Sequence, residues 1–341
     1  MGATPKLPNC HILRQMAIFS AGPTSQKEGE DMGIARTVLL WGSQNRWIEN
    51  QFRRRWFAKK AVSRFLPGET IESALAESEA LKADNITTMV TYLGENVSSM
   101  DEATAATQHY IEVLDKIKSL PIDTHVSVKL TQLGLDLDVA GTARNLETIT
   151  EHASNVGNTV WVDMEASNYV DTTLDAFRTV RAKHENVGLC LQAYLHRTPK
   201  DLEDLLSIGA AIRLVKGAYQ EPANVALPDK KDVDAAFLSL GTRLAENPPT
   251  GSGIKHGIAT HDINIIDKMN RTGSEGRWGP DAYEVLMLYG IRRANQVRLA
   301  AAGIPMRTLI SYGEAWFAWY MRRLAERPAN IGFVLRSMFD Q

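Results

Sequence analysis

Charge, bare backbone and one aromatic ring meet in a single short stretch, Arg213-Leu-Val-Lys-Gly-Ala-Tyr219, directly after the apolar β-type run 208–212. Two cations and a glycine fall where a strand is expected to end. Gly217 lets backbone approach a ligand closely, and the whole suits an anionic, planar ligand. Taken alone, the stretch fits an ordinary strand and a solvated turn equally well. A second group with chemical potential is Arg322-Arg323 with Glu326 in the last helical segment. Adjacent arginines diverge by about 100° around a helix, and Glu326 shares a face with Arg322. Guanidinium forks match a carboxylate bidentately. A surface helix with an ion pair is the plainer account of those three residues.

The elements that must position these residues form a regular series. Apolar and β-branched runs occur at 87–92, 125–131, 159–165, 187–194, 208–215, 254–261, 282–288 and 307–312. Helical periodicity separates them, the first helix running from Thr70, its N-cap, to Ala83. Strands alternating with helices predict a parallel sheet, and eight units predict a (βα)8 TIM-type barrel with additional N-terminal helices. No G-x-G-x-x-G follows the first run, which weighs against a dinucleotide-binding open sheet. Active sites of such barrels lie at the carboxyl ends of the strands. Those ends carry Tyr92, Lys129, Asp163, Met164, Glu165, Gln192, Tyr194, Arg213, Lys216, Thr260, His261 and Tyr312. Most are large and polar, as a site requires. We expect residues 1–66 to form an N-terminal helical segment and 67–341 the barrel domain.

Composition bounds the function. The chain has 341 residues, 44% hydrophobic, and a net charge of −2. That balance argues against a nucleic-acid partner. Cys10 and Cys190 lie far apart without metal-ligand spacing, so no metal is expected and a reducing cytoplasm is. No run is long enough for a membrane span, and no signal-peptide pattern opens the chain. The basic run Arg53-Arg54-Arg55 with Lys59 and Lys60 reads first as a solvated helix face. It also leaves open a peripheral contact with an anionic inner-membrane surface.

The motifs Phe65-Leu-Pro-Gly-Glu-Thr, Tyr92-Leu-Gly-Glu, Ser127-Val-Lys-Leu-Thr-Gln-Leu-Gly, Val162-Asp-Met-Glu, Leu191-Gln-Ala-Tyr-Leu, Arg213-Leu-Val-Lys-Gly-Ala-Tyr, Ala259-Thr-His and Arg322-Arg-Leu-Ala-Glu-Arg-Pro-Ala-Asn follow one another in order. In this the chain resembles the FAD-dependent proline dehydrogenase family, monofunctional bacterial type, from about residue 62 to 335. The resemblance implies a flavoenzyme that oxidises the C–N bond of proline to 1-pyrroline-5-carboxylate, or acts on a related amino acid, and passes electrons to a quinone or other acceptor. It assigns Asp163 and Arg213 to catalysis, Asp163 as an acid or base and Arg213 near flavin N5. Lys129, Arg322 and Arg323 would take the substrate carboxylate, with Glu326 orienting Arg322 and Tyr219 packing on the substrate ring. Met164, Gln192, Val215, Lys216, Gly217, Ala218, Thr260 and His261 would hold FAD.

Two substitutions within that pattern bear on the substrate. Leu309 and Trp319 stand where the family usually carries tyrosines, and strand seven reads Glu284-Val-Leu-Met. An apolar pocket wall predicts weak activity on 4-hydroxyproline, unless Tyr312 or Tyr320 restores a phenol. Two other classes fit the residues alone. One is a barrel that binds an anionic ligand without redox chemistry. The other is a Schiff-base aldolase using Lys129 or Lys216. Nothing in the sequence sets the oligomeric state.

Overall fold

A computed structural model describes residues 63–94, 96–251, 253–279 and 281–317. The chain divides into two compact units, Arg55–Trp316 and a second formed by Met1–Arg54 with Phe317–Gln341. The first contains a closed barrel of eight parallel strands in sequential order. These are β1 Thr87–Tyr92, β2 Thr124–Val128, β3 Val160–Val162, β4 Val187–Gln192, β5 Ala211–Val215, β6 His256–Ala259, β7 Tyr283–Leu288 and β8 Met306–Tyr312. The helices are α1 Ile71–Lys82, α2 Met100–Lys118, α3 Val139–Asn155, α4 Val170–Arg181, α5 Thr198–Leu206, α6 Lys230–Glu246, α7 Ile263–Thr272 and α8 Arg293–Ala301. α1 precedes the barrel, and one helix crosses over between each successive strand pair. The expected (βα)8 alternation is therefore what the chain forms.

Local chemistry explains the elements. Thr70 caps α1, its side chain accepting from the Ser73 amide, as expected from sequence. Ser99 does the same for α2, and Glu102 reaches back to the Ser98 amide, which satisfies two amide donors that the helix leaves unpaired. α4 buries Val170, Thr173, Leu174, Phe177 and Val180 on one stripe. Every strand alternates. Val90, Val126, Val160, Ile212, Val285 and Ile310 face the helices in one continuous core. Met89, Trp161, Ala211, Ile254 and Leu286 pack together in a second cluster, with Leu309 and Ala259 against it. This second cluster fills the barrel interior, as layered inward side chains do in this fold.

The strands are shorter than composition suggests. β2 ends at Val128, because Leu130–Leu133 turns into a 3-10 helix with Lys129 at its start. β3 pairs over three residues only, so Asp163 lies just past its end. The largest correction is at β5. Ile208 is exposed, and strand pairing begins at Ala211. Gly209, at φ +64°, closes α5 with the Ala210 amide on Leu205 O and its own amide on Leu206 O, a Schellman ending that needs a left-handed residue. Arg213 consequently sits in mid-strand, inside the barrel, and not at the strand end.

Candidate active site

The inward alternation brings Ser127 of β2, Asp163 after β3 and Arg213 of β5 into contact across the barrel. Asp163 accepts from Ser127 Oγ at 2.6 Å and from Lys129 Nζ at 3.1 Å, and it pairs with Arg213 Nη2. Arg213 Nη1 donates to Ser127 Oγ at 3.2 Å and to Met89 Sδ. The guanidinium carbon lies 5.8 Å from the centre of the Trp161 ring, within cation–π range. Trp161 is itself fixed by donating Nε1–H to His125 Nδ1 at 3.2 Å. The structure thus brings together Lys129, expected at the substrate carboxylate, and Asp163 and Arg213, expected at the flavin. Sequence reasoning gave no role to Ser127, Met89 and Trp161, although Ser127 and Lys129 share the period-2 register of β2.

The electrostatics of this cluster are lopsided. Burial alone would raise the Asp163 carboxyl. The charges of Lys129 and Arg213, with the Ser127 hydroxyl, outweigh it and hold the group well below the usual carboxylate range. Burial works against the charge on Arg213 too, and Asp163 more than restores it. Asp163 is therefore an anion at any working pH.

Polar atoms are left over around the cluster. Arg213 is buried, and its Nε has no hydrogen-bond partner among the described residues. Gln192, at the end of β4, donates Nε2–H to the carbonyls of Met164 and Glu165 at 3.3 and 3.2 Å, while its buried Oε1 accepts from nothing described. A buried acceptor without a donor is costly, and the two groups mark a place for a polar ring system. A flavin carries both an imide N–H and ring acceptors, so the residues present fit it. Glu165, another strand-end residue, instead closes a structural bond, accepting from Thr131 N and Oγ1.

A second cluster lies on the outer side of β5 and β6. Lys216 turns over the Phe237 ring of α6 and pairs with Asp234 and Asp262, the latter at 3.2 Å. Thr260 Oγ1 accepts from the Asp262 amide at 3.1 Å. Val215, Gly217 and Ala218 lead out of β5, with Ala218 exposed and Tyr219 half-buried. Gly217 has φ +116°, and a Cβ there would meet the Tyr194 ring at 2.2 Å. His261 follows Thr260 directly and is half-buried. The expected cofactor residues thus fall into two groups, one around Arg213 and Gln192 and one in the segments that follow β5 and β6 around Lys216.

Tyr312 points away from the interior, its hydroxyl 2.8 Å from His109 Nε2 of α2 and its ring against Tyr92. It cannot replace the phenol missing at Leu309, which packs against the inner apolar cluster. Trp319, Tyr320, Arg322, Arg323 and Glu326 lie outside the described residues. Among those described, no His, Cys, Asp or Glu group is arranged to hold a metal ion, and no helix is long and apolar enough to cross a membrane.

A closed parallel barrel with ion-paired, inward-facing side chains towards the carboxyl ends of its strands defines a (βα)8 enzyme-type site. Comparison with known proteins narrows that class. The family model described as proline dehydrogenase matches residues 74–336. The chain is 36% identical over 307 residues to proline dehydrogenase 2 of Bacillus subtilis subsp. natto, covering 90% of this chain and 99% of that one. It is 36% identical to the proline dehydrogenase of Deinococcus radiodurans, over 89% and 98% of the two chains. The chain belongs to the proline dehydrogenase family. Among solved structures, proline utilization A of Bdellovibrio bacteriovorus, inactivated by N-propargylglycine, superimposes with a TM-score of 0.74 at 21% identity. The match covers 93% of this chain and 40% of that protein, and it bears on the fold alone.

Proposed function

We propose that this chain oxidises proline at the carbon next to its nitrogen, giving 1-pyrroline-5-carboxylate, with FAD as the first acceptor. The observation that carries the reading is the Lys129–Asp163–Arg213 cluster beside the apolar interior wall of the barrel. Bound FAD supplies a two-electron acceptor that takes hydride at N5. Arg213, Gln192 and Met164 would hold its ring system, and Val215, Lys216, Gly217, Ala218, Thr260 and His261 the remainder. Lys129 would meet the substrate carboxylate with Arg322 and Arg323, Glu326 orienting Arg322. Tyr219, Leu309 and Trp319 would surround the substrate ring.

Asp163 takes a narrower role than acid or base. A carboxyl held so low is a weak proton acceptor. Its part is to keep Lys129 and Arg213 in register and to set a negative charge near the cation that develops as the C–N bond becomes an imine. Lys129 is bound into an ion pair with Asp163, which suits a carboxylate partner and not an amine that must attack a carbonyl. The proposal includes a cytoplasmic location and a quinone or other acceptor for the second half-reaction. Mixing the flavin-loaded protein with proline without oxygen tests it: the flavin should bleach and an imine should accumulate. A flavin that stays oxidised under proline would refute the reading.

A further inference from the structure

We propose that Ser127 is a positioning residue for this reaction, its hydroxyl coupling Asp163 to Arg213 and so setting where the guanidinium meets the flavin. The inference rests on the FAD reading above. A hydroxyl has one proton to give and lone pairs to offer. Here both uses are dictated by neighbours of opposite charge. Asp163 is an anion and can only accept, so the hydroxyl proton goes to its Oδ1 at 2.6 Å. Arg213 can only donate, and its Nη1 lies 3.2 Å from the same oxygen. The hydroxyl is thus locked in a single orientation, fully buried.

The geometry distinguishes this from ordinary core filling. A buried serine usually returns its proton to a nearby backbone carbonyl. Ser127 gives it instead to the Asp163 carboxylate just past the neighbouring strand β3. Its own carbonyl accepts from Tyr110 OH at 3.1 Å, which fastens this point of β2 from the helix side. Arg213 is a long side chain whose Nη2 is tied to Asp163 and whose Nη1 is tied to Ser127 and Met89. Removing the Ser127 tie frees one end of the fork. A cation held beside the electron acceptor favours its reduction, so a displaced guanidinium would make reduction harder without weakening proline binding at Lys129.

The test compares Ser127→Ala and Ser127→Cys with the wild-type holoenzyme. Flavin content and thermal midpoint serve as controls. The readouts are the limiting rate of anaerobic flavin reduction by proline, KM, and the flavin midpoint potential. Ser127→Ala should slow reduction at least about tenfold, the factor for losing one charge-assisted hydrogen bond. It should move the potential to more negative values and leave KM within about twofold, and Ser127→Cys, a weak donor, should fall between. A rise in KM alone, or wild-type rate and potential in the variants, would overturn the inference. If Ser127→Ala does not fold, Ser127→Cys decides by its potential. Failure of the wild type to bind flavin or to be reduced by proline would defeat the parent reading. Normal wild-type reduction with indifferent Ser127 variants defeats this inference alone.

Discussion

At the residue scale, Asp163 carries the largest electrostatic load. It lies between two cations, and the side chains of Asp163 and Arg213 are 17% and 5% exposed. Among the described residues, removing it leaves Arg213 buried with no ion-pair partner and Lys129 without one. Asp163→Ala should therefore destabilise the fold by about 3–5 kcal/mol, read as a lower urea midpoint, and should abolish flavin reduction. Leu309 carries the specificity expectation. It packs against the inner apolar cluster, and Tyr312 is turned away to His109. A ring hydroxyl placed against that wall would go unpaired, at a cost of roughly 1–3 kcal/mol. Competition kinetics should favour proline over 4-hydroxyproline by at least about fivefold in kcat/KM. Equal rates on the two would contradict the apolar wall. Lys129 and Asp163 were legible in the sequence because charged residues at strand ends have few structural uses, whereas Arg213 was read at a strand end and lies in mid-strand. Ser127, Met89 and Trp161 were not legible, because each is a common core residue whose role appears only when β1, β2 and β3 close on β5.

At the element scale, β5 and β6 show what the sequence could and could not specify. The β-branched and apolar runs located the strands. Their ends depend on how far the neighbour pairs, as with the three residues of β3, and no single run records that. His256, at the start of β6, joins elements by accepting from the Ile212 amide at 3.0 Å and bonding the Asn247 carbonyl at 2.8 Å. Burial lowers its pKa from 6.5 to about 4. Between those values the unfolded chain binds the proton and the folded one does not, so stability falls as pH drops through that window. The loss by pH 4 should approach about 3 kcal/mol, and His256→Gln should flatten it in thermal melts at pH 7 and 4.5. Gly217 is the other element-level determinant. Gly217→Ala puts a Cβ into the Tyr194 ring at a left-handed backbone position. The purified variant should hold markedly less flavin than wild type at equal protein concentration.

For the barrel as a whole, two buried ion-pair networks lie at opposite ends of the axis. The Lys129–Asp163–Arg213 cluster lies towards the carboxyl ends of the strands. Near the amino ends, Arg307 pairs with Glu284 at 2.9 Å and Asp123 at 3.0 Å and donates to the Thr88 carbonyl at 2.7 Å, a network that ties β1, β7 and β8 together. Arg307→Leu strands Glu284 as a buried acid. It should cost about 3–5 kcal/mol of stability, yet leave the rate of flavin reduction in the folded fraction unchanged, unlike Asp163→Ala. The central claim is most directly tested on the intact protein. The visible spectrum of flavin-loaded enzyme should bleach when proline is added without oxygen, with one imine formed per flavin. A spectrum that does not change under saturating proline would contradict the account.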